Sequence, residues 1–138
     1  MQNKSEELNM PEENSLCVWG DNSFGQTDVP EGFSSTTLAA GYFHTVALTY
    51  GDGTVVAFEM ATGALSAVPP GLSNVRAISA SLVSNSSVTG VGHFLALHDD
   101  GTVSAWGSNS NQQTDVPAGL AQVTRIAAGR GFSLALKS

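Results

Sequence analysis

Three histidines, twelve acidic residues and one cysteine are the side chains of this 138-residue chain best suited to chemistry. His98 stands directly before Asp99-Asp100, an imidazole beside two carboxylates, which could hold a metal ion. The same residues suit a hairpin tip, where Asp is selected for its backbone hydrogen bonds, so a turn is the competing reading. Asp28 and Asp115 fall at matching points of two similar segments. General acid–base work needs two carboxylates at a short fixed separation, and matching points belong to different structural units. No serine lies in a nucleophile elbow, and Gly25, Gly41, Gly63 and Gly129 do not form a phosphate-cradling loop. His44 and His93 share one position, where a third copy has Phe132. A histidine that recurs before an apolar strand reads as part of a framework. These residues assign no catalytic group, metal set or cofactor, and the chain is expected not to be an enzyme.

The elements that carry these residues repeat. Val18-Trp19-Gly20-Asp21-Asn22 and the residues up to Pro30 nearly recur from Ala105-Trp106-Gly107-Ser108-Asn109 to Pro117, and Phe58 anchors a degraded middle copy. Further columns are Leu38-Ala39-Ala40-Gly41 with Ile126-Ala127-Ala128-Gly129, and His44–Leu48 with His93–Leu97 and Phe132–Leu136. Asp52-Gly53-Thr54-Val55 matches Asp100-Gly101-Thr102-Val103. Recurrence at this period marks an array of supersecondary units. Val55–Phe58 and Val103–Trp106 are short, apolar and partly β-branched, as strands are. The Asp-Gly pairs before them predict tight hairpins with positive φ. The Val-Pro-x-Gly segments, lacking a ladder donor, read as loops. Each unit is then about three short antiparallel strands, and no segment has helical periodicity.

These columns resemble the repeats of the regulator of chromosome condensation family, which build β-propellers. The motifs that carry the resemblance are Trp-Gly-x-Asn at Trp19, Gly20 and Asn22 and again at Trp106, Gly107 and Asn109. Gly25 opens a Gly-Gln-x-x-Val-Pro run, and His44, His93, Asp52, Gly53, Asp100 and Gly101 fill the other columns. The compact spacing is similar to short bacterial repeats, including those of protein inhibitors of β-lactamase. The middle copy departs, with Phe58-Glu59-Met60-Ala61 in place of Trp-Gly-x-Asn. The resemblance implies an all-β fold of three propeller-type repeats and a role in binding proteins, either as an interaction or as an inhibitory module. Guanine-nucleotide exchange, known among relatives, carries less weight because three repeats do not supply a complete ring. The expected organisation is an acidic disordered tail over 1–15, then repeats over 16–55, 56–103 (with an insertion near 82–92) and 104–138. The last repeat lacks its final hairpin strand.

Three repeats cannot close a ring that uses four to eight blades. The partial propeller is therefore expected to be completed by another copy, two giving six blades, or by a longer parent array. Leu16–Trp19 reads as a strand able to complete the last repeat. Assembly of a larger ring is thus the alternative role. The net charge of −7 argues against nucleic acid as a partner. No stretch approaches the roughly 20 apolar residues of a membrane helix, and the acidic start is not a signal peptide, so an intracellular location is expected. Cys17, between Leu16 and Val18, reads as a buried thiol in a reducing compartment.

Loops that differ between copies are free to bind. Before the third-column strand the first copy has Tyr42 and Phe43, the second a long insertion containing Val83, Asn85 and Val88, and the third Arg130. Equivalent loops of successive blades open on one face, and Tyr, Phe and Arg are suited to anchor protein interfaces. Trp19, Phe24, Phe58 and Trp106 read instead as packing between blades.

Overall fold

The computed structural model describes residues 17–23, 27–28, 35–40, 44–49, 54–59, 68–81 and 92–138, with the backbone alone at 36, 44, 45, 47–49, 58 and 59. Among the described residues it contains eight strands and no helix. Strands β1 (Ser35–Ala40), β2 (His44–Thr49) and β3 (Val55–Glu59) form the antiparallel sheet I, in that order. Sheet II repeats the pattern with β4 (Val75–Ala80), β5 (His93–His98) and β6 (Val103–Gly107). Sheet III has two strands, β7 (Val123–Gly129) and β8 (Phe132–Lys137). Sheet I packs on sheet II through β4, and sheet II packs on sheet III through β7.

The registers superimpose. His93 faces Gly107 and Leu97 faces Val103 across β5–β6, as His44 faces Glu59 and Leu48 faces Val55 across β2–β3. Each first strand also carries a shift of register after its first residue, at Ser35/Thr37, Val75/Ala77 and Val123/Arg125. The sheets divide the chain differently from the sequence units. Val55–Glu59 closes sheet I and Val103–Gly107 closes sheet II, because each pairs with the strand just before it across the Asp-Gly turn.

The core lies between sheets I and II. Val46 and Val55 of sheet I meet Val75, Ile78, Phe94, Ala96 and Trp106 of sheet II, and the Phe94 and Trp106 rings stack with centroids 5.3 Å apart. Side chains alternate across a strand, so Leu95 and Leu97 point to the other face of sheet II, towards sheet III. Both are buried.

Four expectations change. The β5–β6 hairpin takes positive φ at Gly101 alone (79°), not at Asp100. His98 N–H donates to Thr102 O, leaving a three-residue loop with glycine in the left-handed position. A side chain on Gly101 would press on the Gln122 backbone at 3.2 Å, since this turn docks on the start of β7. Cys17–Trp19 is not a strand, and Trp19 is 83% exposed rather than packed, unlike its counterpart Trp106. Cys17 is exposed rather than buried. The reason is common to both: this segment is paired to no sheet.

Candidate functional site

Two ends and one groove concentrate the polar and exposed groups. At the hairpin end, a cavity of about 650 Å³ opens among Pro70, Ser73, Asn74, His98, Asp100 and Ser104. His98 Nδ1 lies 2.9 Å from Ser73 O and Nε2 lies 2.8 Å from Ser104 Oγ. The carbonyl can only accept, so Nδ1 carries the proton and Nε2 accepts from the Ser104 hydroxyl. Both ring nitrogens are thus occupied in tying the hairpin to the Pro-Gly loop. Asp100 Oδ1 accepts from the Thr102 amide at 2.9 Å and its hydroxyl at 2.6 Å. Those two bonds hold the carboxyl below the usual aspartate range. The arrangement spends its imidazole and carboxylate on turn geometry.

The opposite end carries the β1–β2, β4–β5 and β7–β8 connections, which the topology makes equivalent. The described part is the Arg130-Gly131 turn, with Gly131 at φ 82°. Arg130 is exposed, and the turn sits on Asn111, whose Nδ2 would be 2.8 Å from any Cβ at Gly131. Asn111 belongs to a loop built twice. Asn109 Nδ2 donates to Asp115 Oδ1 at 2.8 Å while Asn109 Oδ1 accepts from the Thr114 amide at 2.9 Å. Asn22 makes the same pair of bonds to Asp28 and Thr27, at 2.6 and 2.9 Å. Asp28 and Asp115 are therefore loop braces. Gln112 sits at φ 61°, in the left-handed region that glycine enters most readily, and its counterpart in the repeat is Gly25. Tyr42, Phe43, Val83, Asn85 and Val88 lie outside the described residues, as do Gly25, Asp52 and Gly53, and so do the side chains of His44 and Phe58.

His93 is a framework residue of the sheet II–III junction. Ser133 Oγ donates to Gln113 O at 2.6 Å, so it accepts from His93 Nε2–H at 2.9 Å. Nδ1 is then unprotonated, buried and, among the described residues, without a partner. Burial lowers the pKa of this imidazole. Trp106 Nε1 is the other buried polar atom without a partner among the described residues.

Beside this junction runs a groove of about 380 Å³, more apolar than the hairpin cavity, lined by Leu95, Val103, Val116, Leu120, Ser133 and Ala135. Phe132, Leu134 and Leu136 of β8 are exposed next to it. Sequence reasoning did not single out this groove. Six of its lining residues stand at the repeat positions of residues clustered with Trp106, a correspondence that only the structure brings out.

Residues 88–113 match the model of the Regulator of chromosome condensation (RCC1) repeat. No curated protein matches the chain. Among solved structures, the chain is similar to the CRINKLY WD40 ectodomain of the Arabidopsis thaliana receptor kinase ACR4 (21% identity, TM-score 0.70), over 91% of this chain and 41% of that one. It is also similar to the ectodomain of the Physcomitrella patens receptor kinase CR4 (19% identity, TM-score 0.57), over 81% of this chain and 27% of that one. The chain therefore spans well under half of each, and the likeness shows the fold: an all-β array of propeller-type sheets. Both neighbours are ectodomains, so they lend no support to an intracellular location. No helix among the described residues is long and apolar enough to cross a membrane.

Proposed function

We propose that this chain is a non-catalytic module that binds another protein through the end of the array bearing the β1–β2, β4–β5 and β7–β8 connections. The observation that carries this reading is the contrast between frame and connection. The sheets repeat in register, while the three equivalent connections differ in length and chemistry. Tyr42, Phe43, Val83, Asn85, Val88 and Arg130 are the proposed contacts, anchored by aromatic and guanidinium groups. Inhibition of an enzyme is one form such binding takes.

The test is quantitative capture with the full chain and with Tyr42→Ala/Arg130→Ala. A true partner is retained at least tenfold less by the double variant, because a lost anchor costs about 1.4 kcal/mol or more. It is retained equally by Asp99→Asn at the opposite end. Equal capture by all three chains would sink this reading. A second reading, assembly into a larger ring, is favoured by the exposed apolar residues of β8.

A further inference from the structure

We propose that the outer edge of β8 and the groove beside it receive the Cys17–Gly20 segment of a second copy, with Trp19 filling the groove. This rests on the assembly reading and gives it a seat.

The groove is an unfilled version of the tryptophan site already present once. Trp106 shares one apolar cluster with Val46, Val55, Val68, Leu72, Phe94 and Ala96 among others, and stacks on Phe94. Shifted by one repeat, those positions become Leu95, Val103, Val116, Leu120, Ser133 and Ala135, which line the groove. The tryptophan equivalent to Trp106 by sequence is Trp19, and it is exposed.

The edge beside the groove pairs with no other described strand. β5 lies between β4 and β6, with Leu95 and Leu97 at 2% and 1% exposure. Among the described residues β8 pairs with β7 only, and the equivalent Leu134 and Leu136 are each 58% exposed. An apolar edge with an unpaired ladder is a template for an added strand. Cys17–Gly20 corresponds to Ser104–Gly107 of β6. Gly20 has φ 116° against 99° at Gly107, and the braced Asn loop follows both. The β5–β6 register carries over directly. Gly20 pairs with Phe132, Trp19 with Ser133, Val18 with Leu134 and Cys17 with Ala135.

The connection decides whose segment it is. After β6, the Asn loop and Pro-Gly turn lead to β7 of the adjacent sheet. After Gly20 the matching loop leads to β1, so the sheet that accepts Cys17–Gly20 must adjoin sheet I of the donor. Within one chain, sheet II separates sheet I from sheet III. A second copy brings its sheet I against sheet III. There the half-exposed Leu38, equivalent to the buried Ile78, meets Leu134 and Leu136. The same junction used twice closes two copies symmetrically.

Ala135→Cys tests the register, because Cys17 is the sole native cysteine. Paired Cα atoms of antiparallel strands stand about 4.5–5.5 Å apart, within disulfide reach. Under mild oxidation the variant forms a disulfide-linked dimer, whereas the Thr124→Cys chain forms no disulfide. Light scattering gives the wild type a mass near twice 14.2 kDa, and Trp19→Ala lowers it towards the monomer with far-UV dichroism unchanged. Trp106→Phe leaves Trp19 as the sole indole, and its emission moves to shorter wavelength as concentration rises. A monomer mass across the concentration series overturns assembly itself. A dimer without the 17–135 disulfide, or a disulfide within one chain, leaves assembly possible and overturns this seat.

Discussion

His93 and Trp106 each bury a nitrogen with no partner among the described residues, and each makes a testable demand on its surroundings. Protonating His93 Nδ1 would place a cation in a buried junction where the residue's hydrogen-bond partners, Ser81 on its backbone amide and Ser133 on Nε2, carry no charge. The folded state therefore binds this proton less readily than the unfolded chain, whose histidine titrates near about 6.5. The sign follows: the neutral ring's contribution is complete above that pH and is lost as pH falls through and below it. Denaturant unfolding between pH 8 and 5 is expected to show that loss, and His93→Gln to flatten it. A variant with an unchanged slope would remove His93 from the account. Trp106 loses packing area if replaced by Phe, but the replacement also removes an unsatisfied buried donor, worth about 1–3 kcal/mol. The two effects oppose, and Phe58 holds the same repeat position. Trp106→Phe is thus expected to cost less than about 1 kcal/mol in thermal unfolding, whereas Trp106→Ala costs about 3–5 kcal/mol.

Each element is a short strand whose ends are set by turn chemistry. Gly71 and Gly119, at φ 81° and 74°, close matching turns in which Leu72 and Leu120 donate to Pro69 and Pro117. Gly107 has the stricter role: its φ is 99°, and a Cβ there would lie 2.6 Å from Gly92 O. Gly107→Ala should cost more than about 2 kcal/mol, combining left-handed strain with a backbone clash. Gln112 is the opposite case. It pays about 1–2 kcal/mol for a left-handed conformation, and glycine would add about 0.5–1 kcal/mol of unfolded-chain entropy. Gln112→Gly is expected to stabilise by roughly 0.5–1 kcal/mol, read as a higher melting temperature. A drop in melting temperature would mean that the Gln112 side chain makes a compensating contact.

At the scale of the molecule, three similar sheets stack so that the middle one is covered on both faces. The outer ones are covered on one. Leu38 marks the open face of sheet I and Phe132, Leu134 and Leu136 that of sheet III. Association through those faces would link stability to mass action. The apparent melting temperature should then rise with protein concentration, each tenfold step adding up to about 1.4 kcal/mol of dimer stability. A melting temperature independent of concentration would argue for a monomer.

The repeat columns alone determined that short antiparallel strands recur along the chain and that a hairpin turns at Asp100-Gly101. Strand alternation, turn residues and recurrence are local properties that a sequence displays directly. Tertiary structure decided what the columns leave equal. Trp19 and Trp106 share a motif, yet one is exposed and the other buried, because burial depends on whether a neighbouring sheet is present. Cys17 followed Trp19 to the surface. His93 and Phe132 share a column, but only His93 has a sheet on its far side to receive its hydrogen bond. The groove beside β8 was likewise invisible until Leu95, Val103, Leu120 and Ser133, far apart in the chain, were brought around one space. Proximity between distant residues is set by packing, and a linear pattern does not encode which of two equivalent faces finds a partner.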